Sequence, residues 1–289
     1  MLSSTWTRFR REIDYYSAMF AVFIVGLLVP VAMILGSVVG LPTLGTAVLG
    51  IVVAITLFLV VVPLIPTEWR DVVRGRPWVV KALWSAVIVV VVAVLARLAE
   101  FMIDPNQADS SLSPDDDFLL KHTHLSGYIS GALVAEHEPG ELYNRHRYES
   151  AEADAVLPSI LPQERDVYLY PPPFLLLPRI LLLFSHDFHT LRALWYALYV
   201  AVVLLAMLAI ARWVGGRAGA VLAACTPLIW ASLPTLATLQ LGNIHVLILY
   251  VGCLAAMVLF TRNRNVLGGA ALAFAIVAKV SPAILLIYL

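Results

Sequence analysis

The sequence predicts an all-α polytopic membrane protein: a transmembrane helix bundle with one large polar loop after the third span. Three observations carry this. The 289 residues are 61% hydrophobic and only 13% charged, with a mean hydropathy of +0.88, which no soluble surface can accommodate. Apolar runs of span length recur along the chain. Charge is unevenly placed: residues 104–170 hold thirteen of the nineteen acidic residues and four basic ones. The formal net charge of zero gives no electrostatic footprint for nucleic acid, so no nucleic-acid partner is expected. Cys225 and Cys253 both lie in apolar runs, which excludes a disulfide framework and a cysteine-based zinc site.

A hydrocarbon core about 30 Å thick requires roughly 20 apolar residues per helix. Runs of this kind are Ala18 to Val39, Thr43 to Ile65, Trp78 to Ile103, Leu191 to Ala211, Ala218 to Leu239 and Ile244 to Phe260. A further apolar stretch starts at Val266 and reaches Leu289 with no polar flank, which predicts a chain continuing past that residue. The first run is too long for a signal-peptide core and is read as a retained anchor. Arg8, Arg10 and Arg11 before the first span, and Arg70, Arg74 and Arg76 after the second, place both segments in the cytoplasm. The acidic stretch is then outside. Pro171 to Ser185 is short, opens with three prolines and carries Arg179. A re-entrant or interfacial helix at the outer surface fits it best, and returns Arg212, Arg217, Arg262 and Arg264 to the cytoplasm. The expected organisation is a cytoplasmic segment with three spans over 1–103, an outer loop with an interfacial helix over 104–190, and further spans over 191–289. The surrounding partner is membrane lipid.

The densest polar feature is Ser113-Pro114-Asp115-Asp116-Asp117-Phe118, just before a helical pattern from Phe118 to Ala135. Asp115 suits a helix start, where carboxylates meet free N–H groups and the positive dipole end. One aspartate of the triplet, facing a cleft at the membrane surface, could serve as a general base or, with a neighbour, as a ligand for a divalent cation. No other cofactor is expected. His122 and His124, two residues apart, are expected on different faces of a helix, which argues against a metal site at that pair. Tyr170 to Pro173 reads first as a rigid membrane-entry turn and second as a substrate contact. Gln240 and Asn243 read equally as sugar-hydroxyl partners and as caps for the next span.

These residues also carry a resemblance. Asp117-Phe118, the helix His124-Leu-Ser-Gly-Tyr-Ile-Ser-Gly-Ala, then Glu141-Leu-Tyr-Asn144 and Tyr168-Leu-Tyr170-Pro-Pro-Pro-Phe174 resemble the first outer loop of glycosyltransferase family 87. The resemblance continues through Leu194-Trp195, Gln240-Leu-Gly-Asn243 and Ala278-Lys279-Val-Ser-Pro282, and so covers about 115–289. It implies a GT-C-like helix bundle that moves a sugar from a polyprenyl-phosphate carrier to a lipid or glycan acceptor. It also implies that the loop aspartate, Asp117 here with Asp116 as the register alternative, is the catalytic base.

Elementary chemistry points the same way. The chain has no strand, glycine loop and helix unit to hold a nucleotide, whereas a lipid-linked donor brings its own phosphate to the interface. Charge grows on that phosphate as the glycosidic bond breaks, so a cation should wait there. Lys279, a lone ammonium in an apolar stretch, is the first candidate, with Pro282 able to aim it at a cavity; Arg179 is the second. The rival reading from another class is a membrane transporter or lipid flippase of envelope glycans, which predicts inverted repeats and paired broken helices. No internal repeat is visible. A non-catalytic envelope assembly protein, the third reading, predicts that Asp117 is dispensable.

Overall fold

The computed structural model describes residues 14–149, 160–278, 282, 283 and 287. Among them there are helices, turns and loops but no strand, as expected for a polytopic α-helical membrane protein. Among the described residues, four helices are long and apolar enough to cross a bilayer: α1 (Tyr15–Val38), α2 (Thr43–Leu64), α4 (Trp78–Ile103) and α8 (Phe188–Val214). Between and after them lie α3 (Thr67–Arg74), α5 (Asp117–Lys121), α6 (His124–His137), α7 (Pro172–Leu182), α9 (Gly216–Trp230), α10 (Leu233–Leu241) and α12 (Asn265–Ala278). Residues 245–261, between α10 and α12, form one irregular helix, α11.

Contacts divide the chain into two compact units, Met1–Ala99 with Leu204–Leu236, and Glu100–Val203 with Ala237–Leu289. In the first, α1 starts where the Asp14 carboxylate accepts the Ser17 N–H at 2.8 Å, an N-cap that satisfies one orphan donor. Small residues let helices approach: a Cβ on Gly26 would lie 2.5 Å from Val92, and one on Gly36 would lie 3.0 Å from Thr46 and Leu49. Tyr16 stacks on Trp84 at 5.1 Å, and the Trp84 indole donates to the Ala224 carbonyl at 2.8 Å. α2 ends before Pro66, which holds Ile65 extended. The terminal carbonyls this leaves at Val62 and Ile65 accept from the buried Arg70 guanidinium. Arg70, read from sequence only as an orientation signal, thus also closes a helix end.

In the second unit the first half of α8 is the core element. Asp187 caps it, accepting from the Thr190 N–H and hydroxyl at 2.8 and 2.7 Å. Arg192, 3% exposed, lies 4.3 Å above the Phe101 ring and donates to the Phe101 carbonyl at 3.0 Å. α11 and α12 pack closely, since a Cβ on Gly252 would meet that of Ala275 at 2.9 Å.

Three sequence expectations change. The run Ala218 to Leu239 is not one straight helix: α9 and α10 meet at 61° around Ala231 and Ser232. Pro234, at the second position of α10, has no N–H to extend a helix backward and fits a helix start. Ile244 to Phe260 is interrupted by a π-helical stretch over Ile248–Cys253 and falls short of a regular span. The helical pattern from Phe118 to Ala135 is split into α5 and α6. Pro171 to Ser185 folds as the short apolar helix α7, too short to cross.

Candidate active site

The loop after α4 leads into α5. Asp116 is its N-cap, with its carboxylate accepting the Leu119 N–H at 3.1 Å. Asp117 is the first helical residue; its side chain is 83% exposed and pairs with Lys121, one turn on, at 3.1 Å. Such exposed pairs contribute little. The carboxylate therefore stays open to solvent rather than lying in an enclosed pocket.

α5 stops at His122, whose N–H bonds to the Phe118 carbonyl, and Thr123 is extended at φ −151° before α6 begins. The small residues of α6 explain its sequence. Ser126, Gly127, Ser130 and Gly131 are buried, and Ser126, Gly127 and Gly131 meet the segment 164–168. A Cβ on Gly127 would lie 3.2 Å from the Asp166 and Val167 carbonyl oxygens, and one on Gly131 only 2.5 Å from the Tyr168 ring. The Ser126 hydroxyl donates to the Thr123 carbonyl at 2.7 Å and accepts the Asp166 N–H at 2.9 Å. The Glu164 N–H bonds to the Lys121 carbonyl at 2.8 Å.

This docking assembles a cluster that sequence spacing argued against. Because an extended residue separates the two helices, His122 and His124 do not share one helical frame, and their rings meet edge to face at 4.7 Å. Both face Asp166. Its Oδ2 lies 3.1 Å from His124 Nδ1 and 3.9 Å from His122 Nε2. Burial pushes the Asp166 carboxyl up, but the His124 hydrogen bond, the two imidazoles and the Val167 N–H together hold it below its ordinary value. Burial, and then the neighbouring His124, lower the pKa of His122 and favour its neutral form. The sequence reading omitted Asp166: no local pattern announces a partner 42 residues away from His124.

Beside the cluster, Tyr128 of α6 packs on Tyr170, Phe174 and Trp195, with ring centroids 5.1, 5.0 and 6.1 Å away. Its hydroxyl donates to that of Tyr170 at 3.1 Å, and the Tyr143 hydroxyl donates to the Tyr170 carbonyl at 2.9 Å. Burial raises the pKa of both Tyr128 and Tyr170, so both stay protonated at neutral pH. Tyr170 is thus a wall of the aromatic cluster as well as the start of the turn into α7.

Gln240 is 1% exposed and both ends of its amide are engaged. The Leu112 N–H donates to its Oε1 at 2.7 Å, and its Nε2 donates to the Leu119 carbonyl at 2.7 Å. It clasps the two ends of the segment that carries Asp116 and Asp117. Asn243 accepts the His245 N–H at 3.0 Å, the capping alternative for this residue. Gly242, at φ +67°, makes that turn while its carbonyl accepts from the Trp195 indole at 2.9 Å. Arg179 is exposed on α7, and Lys279 lies outside the described residues.

Residues 168–289 match the model of Glycosyltransferase family 87. The match supports assignment to that family of GT-C-type membrane glycosyltransferases, the family whose motifs the sequence resembles. It includes Tyr170, Arg179, Gln240, Asn243 and Lys279, and starts after Asp117. No curated protein and no solved structure is detectably similar to the chain. The long apolar helices make the chain a multi-pass membrane protein, and the match, over somewhat less than half of it, supports a glycosyltransferase.

Proposed function

We propose that the protein transfers a hexose or pentose from a polyprenyl-phosphate donor to a hydroxyl of a lipid or glycan acceptor on the outer face of the cytoplasmic membrane. The observation that carries this reading is the family match over 168–289, which begins on the Tyr168–Tyr170 segment packed against α6. A lipid-linked donor brings its own phosphate to the interface, and the chain supplies apolar helices to meet its tail.

In this reaction Asp117 takes the acceptor proton as the sugar carbon is attacked, with Asp116 next in register. One displacement inverts the anomeric centre, with no sugar bonded to the enzyme. The exposed Asp117 carboxylate supports this, since among the described residues only a weak surface pair with Lys121 competes for it. Lys279, with Arg179 as the second cation, neutralises the carrier phosphate as its charge develops. Tyr170 offers an aromatic wall with a protonated hydroxyl to the sugar. Gln240 acts by holding the 112–119 segment, and Asn243 by setting the turn into α11.

The direct test is transfer by Asp117→Asn in membranes. Loss of a general base lowers the rate by roughly 10²- to 10⁴-fold while the protein stays folded. Full activity in both Asp117→Asn and Asp116→Asn would remove this mechanism.

A further inference from the structure

The His122, His124 and Asp166 cluster has a geometry that hydrogen bonding alone does not account for. The His124 to Asp166 contact, at 3.1 Å, explains two of the three residues. His122 makes no side-chain hydrogen bond among the described residues, yet its Nε2 faces the same carboxylate oxygen from 3.9 Å. One nitrogen from each imidazole and one Asp166 oxygen all lie within 4.8 Å of one another. No other group of three histidine, cysteine or acidic side chains among the described residues meets that condition.

The cluster is also held. Ser126 fixes the Asp166 backbone, Glu164 ties the same segment to Lys121, and Phe118 stacks on the His122 ring at 4.5 Å. The three side chains are 21–27% exposed, which leaves one side open.

We propose that His122, His124 and Asp166 bind a divalent transition metal of the zinc type through two imidazole nitrogens and one carboxylate oxygen. Ligand atoms around a tetrahedral zinc lie roughly 3.3 Å apart, so the present separations need only small side-chain rotations to close on an ion. Two imidazoles select a borderline metal over magnesium or calcium, which prefer all-oxygen shells. Three protein ligands with an open side are the arrangement of sites that keep a position for an exogenous ligand. A phosphate oxygen has the right chemistry for that position. Its identity as the carrier phosphate rests on the transferase reading; binding of the metal does not.

The test is titration of the detergent-solubilised full chain, carrying no histidine tag, with Co²⁺ as the spectroscopic stand-in. The expected result is one equivalent bound, with visible ligand-field bands and no thiolate bands from Cys225 or Cys253. His122→Gln and His124→Gln should each weaken binding by about tenfold or more, since even the partners of metal ligands matter at that level. His122→Gln is the decisive variant because it removes no hydrogen bond; matched thermal unfolding establishes that it is folded. Inorganic phosphate should shift the bands by entering the open position. Absence of Co²⁺ binding to the wild type, or equal binding by folded His122→Gln, overturns the site; bands indifferent to phosphate overturn the open position. No sugar donor is present, so these outcomes are independent of whether the transferase reading stands.

Discussion

At the residue scale, Gln240 separates two roles that its sequence leaves equivalent. A sugar-binding amide would have a free end, whereas both ends of Gln240 are spent on Leu112 and Leu119. Gln240→Leu should therefore lower stability by about 1 kcal/mol or more, the cost of leaving partly buried backbone groups unpartnered. Thermal unfolding measures this. The rate constant for transfer should fall with it, because the loop bearing Asp116 and Asp117 loosens, whereas a direct sugar contact would raise KM at unchanged stability. Asp187 gives a second prediction. Asp187→Ala should destabilise by about 1 kcal/mol and Asp187→Asn by much less, as both Asp and Asn cap well. Burial pushes the Asp187 carboxyl up, but the two Thr190 hydrogen bonds and the charge of His189 hold it below its ordinary value. Its stabilisation is complete above the ordinary carboxylate range and is lost as pH falls through the depressed value; Asp187→Asn should lack that acid-side loss.

At the scale of elements, long apolar runs were legible because span length and composition are set by the bilayer itself. α1, α2, α4 and α8 appear within a few residues of their apolar runs. Breaks inside such runs were not legible. A 61° turn at Ala231 and Ser232 and a π-helical stretch at Ile248–Cys253 leave hydropathy unchanged, and depend on backbone hydrogen bonding that hydropathy does not encode. The break at Thr123 had the largest consequence, because it converts two histidines expected on different faces of a helix into neighbours. The serine and glycine content of α6 was visible, but its purpose was not: the segment that fills the space arrives from 164–168. Gly131→Ala tests that docking. The added methyl meets the Tyr168 ring at 2.5 Å, so overpacking should cost about 1–3 kcal/mol, read as a lower unfolding temperature.

For the whole molecule, the class was legible from composition, and the family from ordered short motifs that the match over 168–289 now supports. The site was legible only in part. Asp116, Asp117, Tyr170, Gln240 and Asn243 were named from one-dimensional pattern, while Asp166 and Tyr128 depend on contacts across more than forty residues, where pattern has no reach. The proposed orientation makes its own prediction: a cysteine at Ser185 should react with an impermeant thiol reagent from outside, and one at Gly75 should not. The central claim, transfer from a lipid carrier, is tested most directly by supplying the full-length chain in membranes with a panel of polyprenyl-phosphate sugars beside the matching nucleotide sugars, and measuring sugar transferred to acceptor together with polyprenyl phosphate released. The account predicts stoichiometric release and transfer from at least one lipid-linked donor, none from nucleotide sugars, and a collapse of roughly 10²- to 10⁴-fold in Asp117→Asn. Direct use of a nucleotide sugar, or wild-type turnover unaltered in Asp117→Asn, would contradict it.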